Sequence, residues 1–336
     1  MSKDQNSNST FSSKRRSRPH RWRILCILIL LICVVGYVGY IWVAKLMVSA
    51  IIYAPNHGQT VDSLKKKDLG QVAASKIDQQ LRIQVGPPEA SLSLAIIEPN
   101  NNAESDEDLP LGTIFLLHGI RGNKSHMVGM GRLLADNGYR AVLVDLRGHG
   151  TSTGNWLTYG AVESRDLSQI IDALDQQKMI AGRIGVYGAS YGGAAAIISA
   201  GLDSRITAIV TVATFSSFRE VIPNYARRYL VVGFLLTDSW INKVIYKAGV
   251  LAGFNPDQAS PVEAIQKTSA QVLLIHGKQD NKIPCSHSQT LYEASPNRSR
   301  LILVDNEDHD SIMQDRSGII SRETIAWFKQ YLQVSN

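Results

Sequence analysis

The chain has 336 residues, 44% of them hydrophobic, which is enough for a large core and excludes disorder along its whole length. Its formal net charge of +6 resides in the first 23 residues, where seven Lys and Arg stand against Asp4, so the remainder is neutral and offers no basic face for nucleic acid. Cys26 and Cys33 lie in an apolar run and only Cys285 lies beyond it, which excludes an intradomain disulfide, and no His/Cys spacing suggests a zinc site.

Residues 1–20, rich in Ser, Asn and Arg, read as a disordered tail. Residues 24–44 carry no charge before Lys45 and would reach about 30 Å as a helix, the thickness of a bilayer core. The arginines ahead of this run outnumber Lys45 behind it, which predicts a single-pass protein with a cytoplasmic tail and its main domain on the far side, periplasmic, extracellular or lumenal. Tyr37, Tyr40 and Trp42 suit an interfacial belt at the far end. An uncleaved signal anchor is the preferred reading; a signal peptide cleaved after Val48-Ser49-Ala50 is the alternative. Residues 45–80 follow as a stalk, or as an arm lying on the domain.

From residue 81 a single domain is expected. Leu81–Val85 and Leu92–Ile97 alternate like strands around the turn Gly86-Pro87-Pro88, an antiparallel hairpin at a sheet edge, and 100–110 is an acidic loop. Strands are then predicted at Thr113–Leu117, Ala141–Val144, Arg183–Tyr187, Ile206–Val212, Val272–Ile275 and Leu301–Val304. Helices are predicted at Met127–Asp136, Glu163–Gln176 and Glu323–Leu332. This alternation predicts an α/β fold, a mostly parallel sheet with helices on both faces. The stretch of about 60 residues between Val212 and Val272 has no strand pattern and is too long for a bare connection. With Phe218, Tyr225, Tyr229, Leu230, Phe234, Leu235, Trp240 and Ile245 it suits a small helical cap over about 216–270.

The strand at Arg183–Tyr187 runs into Gly188-Ala189-Ser190-Tyr191-Gly192-Gly193 and out into a helix-like run from Ala194. A strand, Gly-x-Ser-x-Gly and a helix make a nucleophile elbow, with the serine hydroxyl lifted above the sheet and the helix N–H groups turned to where negative charge develops. Alone, the pentapeptide reads equally well as a glycine-rich turn. Its partners decide the matter, because reactive groups of an open α/β sheet gather at the carboxyl ends of strands.

Of eight histidines, His20 precedes the membrane run, His57 lies in the arm, and His126 and His287 begin helices. His118, in His118-Gly119-Ile120, reads as shaping a turn, and His276 as bonding to neighbouring loops. His309, beyond the last strand, is the candidate base, while position alone does not remove His149. Asp280, a turn beyond the strand at Val272–Ile275, can fix the tautomer of such a base, with Asp308 or Asp310 as fallback.

The order Ser190, Asp280, His309, with His118-Gly119 upstream and Asp145-Leu146-Arg147-Gly148-His149-Gly150 between, resembles an α/β-hydrolase over roughly residues 80–335. Within that superfamily the chain is most similar to serine-aminopeptidase-like and BEM46-like hydrolases, through Ser260-Pro261 and His276-Gly277-Lys278-Gln279-Asp280 up to Pro284. The resemblance implies Ser190 as nucleophile, His309 as general base and then acid, Asp280 as its orienter, the backbone N–H groups of Ile120 and Tyr191 as oxyanion hole, and no cofactor or metal. Ile120-Arg121 departs from the His-Gly-Gly-Gly of lipases; Arg121 either meets an anionic substrate group or sits in solvent. The expected activity is hydrolysis of an ester, thioester or amide through an acyl-enzyme. An apolar cap beside a bilayer favours a small-molecule or lipid-derived ester as the partner, with an aminopeptidase-type enzyme and a non-catalytic binding protein as the alternatives.

Overall fold

The computed structural model describes residues 19–64, 77–99, 109–229 and 236–333. The basic tail (1–18), part of the arm (65–76), most of the acidic loop (100–108) and the expected cap residues Leu230, Phe234 and Leu235 lie outside the described residues. Two compact units are present, Met1–Met47 and Val48–Asn336. The first consists, among the described residues, of helix α1 (Pro19–Ile52) up to Met47, and its apolar stretch is long enough to cross a membrane by length and composition. The helix continues eight residues past Ala44, and its last turn belongs to the second unit.

That unit is built on one eight-stranded sheet. In chain order it contains β1 (Gln79–Val85), β2 (Ala90–Ile97), β3 (Gly112–Leu117), a 3-10 turn (Lys124–Met127), α2 (Val128–Ala135), β4 (Arg140–Val144), α3 (Glu163–Gln176), β5 (Arg183–Ala189) and α4 (Tyr191–Leu202). There follow β6 (Ile206–Val212), α5 (Phe218–Tyr229), α6 (Asp238–Ala252), α7 (Pro261–Lys267), β7 (Gln271–Gly277), α8 (Ser286–Ala294), β8 (Ser299–Val304), α9 (His309–Ile312) and α10 (Ile319–Leu332). The strand order is β1-β2-β4-β3-β5-β6-β7-β8, antiparallel at β1/β2 and β2/β4 and parallel from there to β8.

Central strands are buried on both faces, which is why they read as continuous apolar runs such as Ala141–Val144. On one face Leu134 of α2 and Ile320, Trp327 and Phe328 of α10 pack with Leu116, Leu143, Tyr187 and Val210. The hairpin β1–β2 occupies the edge, as its alternation predicts. The stretch between β6 and β7 is helical, with Phe218, Trp240 and Ile245 buried. Its last helix, α7, closes on α4, where Ala264 leaves no room for more than Gly201.

The second unit begins at Val48, so it includes residues that the sequence assigns to a stalk or arm. Tyr53 bridges Trp156, the Leu157 N–H bonds to the Ile52 carbonyl (2.8 Å), and the Ala54 N–H bonds to the Asn155 carbonyl (3.1 Å). Asn56 is 1% exposed, and its side-chain amide donates to the carbonyls of Gly150 and Ser152.

Candidate active site

Ser190 stands between the end of β5 and the start of α4 with φ 50° and ψ −111°, a conformation that L residues avoid unless their surroundings enforce it. Here the surroundings are backbone. The Ser190 N–H bonds to the Val212 carbonyl of β6 (2.7 Å), and the Ser190 carbonyl accepts from Thr214 Oγ1 (2.9 Å) and from the Gly193 and Ala194 N–H groups. A Cβ at residue 188 would lie 2.4 Å from the Gly192 carbonyl oxygen, and one at 192 only 2.2 Å from that of Leu117. The flanking glycines therefore let β3, β5 and α4 approach closely enough to hold the serine in its turn.

After β3 the chain turns through His118-Gly119-Ile120. His118 is fully buried, and burial above all, then the neighbouring His149, lowers its pKa to about 3, so it is neutral. Its Nδ1–H donates to the Gly119 carbonyl (2.8 Å) and its Nε2 accepts the Leu146 N–H (3.1 Å), which pins the turn to the end of β4. Among the described residues no group of the chain accepts from the Ile120 N–H or the Tyr191 N–H, so both expected oxyanion donors are available. Arg121 is exposed, with φ 59°.

Asp280 and His309 are brought together from the ends of β7 and β8. His309 Nδ1 lies 2.6 Å from Asp280 Oδ2, and the other carboxylate oxygen accepts the N–H groups of Lys282 (2.9 Å) and Ile283 (2.8 Å). Burial pushes the Asp280 carboxyl up, but hydrogen bonds from His276 and His309 and the Ile283 N–H outweigh it and hold the group well below the usual carboxylate range. His309 opens α9, whose N-terminus is capped by Asp308 in a reciprocal box with Ser311. Asp310 pairs with Lys282. Neither fallback aspartate thus bonds to His309, and Asp280 does. Among the described residues the Ser190 hydroxyl makes no hydrogen bond to His309, although the two follow strands of the same parallel sheet at their carboxyl ends. Catalytic hydrogen bonds of this kind commonly close only around substrate.

The other histidines have structural partners. His276 bonds to Ser288 Oγ (2.7 Å) and donates to the Ile283 carbonyl (2.8 Å). His287 meets Ser216 and Asn224 at the base of the cap. His149 is buried, and its Nδ1–H donates to the Arg147 carbonyl (2.9 Å).

Two buried groups beside the site have partners that the sequence did not disclose. Tyr191 donates its hydroxyl to Glu163 (2.6 Å) and accepts the N–H groups of Thr158 and Tyr159, so the side chain of an expected oxyanion donor is itself moored. Asp145 binds the Lys124 N–H (2.6 Å), Lys124 Nζ (2.8 Å) and the Thr151 N–H (2.9 Å). Burial raises the Asp145 carboxyl, but the adjacent Lys124 charge outweighs this and lowers it. The sequence marked Asp145 by its place at a strand end and at the head of Asp145-Leu146-Arg147-Gly148-His149-Gly150, but not by its partners; Glu163 gave no signal, since its partners lie 28 residues away and in a loop without periodicity.

The chain matches the family model described as X-Pro dipeptidyl-peptidase (S15 family) over residues 91–236, and that described as TAP-like protein over residues 248–330. It is similar to the protein YqkD of Bacillus subtilis, 29% identical over 201 residues that cover 59% of this chain and 64% of that protein, so the chain spans a little under two thirds of that relative. Among solved structures it is similar to an esterase of Pyrococcus furiosus, with a TM-score of 0.59, 20% identity, and coverage of 82% of this chain and 98% of that one. It is also similar to a puromycin-hydrolyzing peptidase of Mycobacterium tuberculosis, with a TM-score of 0.58, 17% identity, and coverage of 76% of this chain and 40% of that one.

Proposed function

From the premise that the chain belongs to the α/β-hydrolase superfamily, in the company of its esterases and peptidases, we propose that it is a membrane-anchored serine hydrolase that cleaves a carboxylic ester through an acyl-enzyme on Ser190. The observation that carries this reading is the 2.6 Å bond between Asp280 and His309, beside a serine held in a strained elbow. With Nδ1–H committed to Asp280, the free Nε2 of His309 is the base. It takes the Ser190 proton as Oγ attacks the acyl carbon, and the carbonyl oxygen becomes an oxyanion received by the N–H groups of Ile120 and Tyr191. The imidazolium, stabilised by the charged Asp280, then protonates the leaving alkoxide as the C–O bond breaks. Water repeats the cycle on the acyl-enzyme and returns the serine hydroxyl and a carboxylic acid.

The apolar base of the cap supports an apolar or lipid-derived acyl group: Tyr159, Phe215 and Phe218 are buried together, with ring centroids 4.3 Å apart for Tyr159 and Phe218. In this reading α1 anchors the protein, with its basic tail in the cytoplasm and the hydrolase on the far side. The match to a peptidase family model favours an aminopeptidase-type amide substrate as the second reading.

A fluorophosphonate probe is expected to label the full chain and to lose all labelling in Ser190→Ala, with the far-UV spectrum unchanged. A folded wild-type chain that takes no label would point instead to a binding protein. Turnover of p-nitrophenyl esters of increasing chain length against an aminoacyl amide separates the two substrate classes.

A further inference from the structure

We propose that residues 51–56, the last two residues of α1 and the four that follow, are a positioning element of the hydrolytic site, holding both oxyanion donors through the loop 145–159. The proposal rests on the serine-hydrolase reading above.

The segment makes a dense set of contacts for its length, all to this one loop. The Leu157 N–H bonds to Ile52, the Ala54 N–H to Asn155, and the Asn56 N–H to Gly148 (3.0 Å), while the Asn56 side chain donates to Gly150 (3.0 Å) and Ser152 (2.9 Å). The Tyr159 hydroxyl donates to the Ile51 carbonyl (2.9 Å), and the rings of Tyr53, His57 and Trp156 pack together. The fit is close: a Cβ at residue 148 would lie 2.3 Å from that of Ala54. A tether that served only to attach the domain would need none of these bonds.

The loop so held is the one that supports the oxyanion site from two directions. At its start, Asp145 is wrapped by the loop. A Cβ at residue 150, where φ is 52°, would lie 2.2 Å from the Asp145 carboxylate, and Thr151 donates its N–H to the same group. The other oxygen of Asp145 takes the Lys124 N–H, four residues after Ile120. At its end, the Thr158 and Tyr159 N–H groups and Glu163 fix the hydroxyl of Tyr191, the residue whose backbone N–H is the second donor. Tyr159 connects the two systems directly, with its N–H on Tyr191 and its hydroxyl on Ile51. A hydrogen-bond donor displaced by a fraction of an ångström from a developing oxyanion loses most of its effect. Disturbing residues 51–56 therefore slows acylation without weakening substrate binding.

The test uses the full chain in detergent, comparing wild type, Asn56→Ala and Tyr159→Phe. The second variant deletes one hydroxyl and keeps the ring against Phe218 and Tyr191, so it decides the matter if the first fails to fold. The acylation rate constant and the substrate dissociation constant are read together from the concentration dependence of the p-nitrophenol burst rate with p-nitrophenyl acetate, per active site counted by burst amplitude. The expected result is a fall in the acylation rate constant on the order of tenfold for Asn56→Ala and about threefold for Tyr159→Phe, with the dissociation constant within about twofold of wild type. A residue that only stabilises the fold would reduce the count of active sites and leave the rate per site alone. Wild-type rate constants in both variants would overturn the proposal. A wild-type chain that shows no burst and no fluorophosphonate label would instead bring down the serine-hydrolase reading on which it rests.

Discussion

The two halves of the site are held by different means. Around Ser190 the restraint is main chain against main chain: carbonyls of β3 and α4 occupy the space where glycines 188 and 192 lack a Cβ, and the serine is 5% exposed. Around His309 the restraint is side chain to side chain, a carboxylate between two imidazoles and two N–H groups, on turns whose outer residues, such as Lys282 and Asp310, face solvent. A site built this way separates the two costs of mutation. Changes on the elbow side meet main chain that cannot yield and fall on fold and chemistry together, whereas changes on the acid–base side meet side chains and fall chiefly on chemistry.

The strongest way to break this contrast is Gly192→Ala. Its methyl group would lie 2.2 Å from a main-chain oxygen that cannot yield without moving β3, so the variant should lose about 3 kcal/mol or more of stability together with the fluorophosphonate labelling expected of the wild type. A soluble, active variant with an unchanged melting temperature would show that the elbow is looser than it looks. Next in size is Asp280→Asn. Its remaining carbonyl oxygen can still accept from Lys282 and Ile283, but its amide turns a donor toward His309 and stabilises the wrong tautomer. Turnover should fall by roughly 10³- to 10⁴-fold, with a lower melting temperature as well, because the charged carboxylate that His276, His309 and the Ile283 N–H stabilise is gone.

The third test, which leaves the covalent structure unchanged, is a difference in how the two halves respond to acid. His118 and His149, on the elbow side, and His287 under the cap are held below the usual imidazole range, chiefly by burial. As pH falls below about 6.5 the unfolded chain takes up protons that these folded residues refuse, so stability declines by up to about 1.4 kcal/mol per pH unit for each residue. For His118 the decline ends near pH 3. Asp280 also has a lowered pKa, but its contribution is complete above about pH 4 and is lost only in stronger acid, as pH falls through its folded value. Urea midpoints measured at pH 7.5, 6 and 5 should therefore fall steadily, and a flat series would contradict neutral, buried histidines beside the elbow.

Much of this was legible in the amino-acid sequence, for identifiable reasons. Every predicted strand is present: central strands such as β4, buried on both faces, read as continuous apolar runs, and the edge hairpin β1–β2 reads by alternation. Helix α3 has the predicted bounds because its apolar face repeats cleanly, whereas α10 begins four residues before Glu323, at Ile319, where the N-cap position is Gly318 (φ 67°) and the capping carboxylate comes from Asp315, three residues further upstream. The Asp280–His309 pair was readable from strand-end position and from the resemblance. The seating of residues 51–56 was not, because it depends on main-chain bonds to a loop, which leave no periodicity and no charge pattern. Glu163 was invisible for a related reason: a buried acid on an amphipathic helix looks like any first-turn carboxylate until its partner is seen.

The seating of that segment also bears on the order in which the protein is made. Its bonds to the loop, from Asn56 to Gly150 and from Ile51 to Tyr159, span 94 to 108 positions. Residues 51–56 leave the ribosome early yet have nothing to bind until about a hundred more have followed. Closing a loop of that size costs about 4 kcal/mol in chain entropy, so the contact forms late, once strands β2 to β4 have given the loop its shape. The first part of the domain to be synthesised is then among the last to settle, and the site matures only after this early segment has folded back onto the loop.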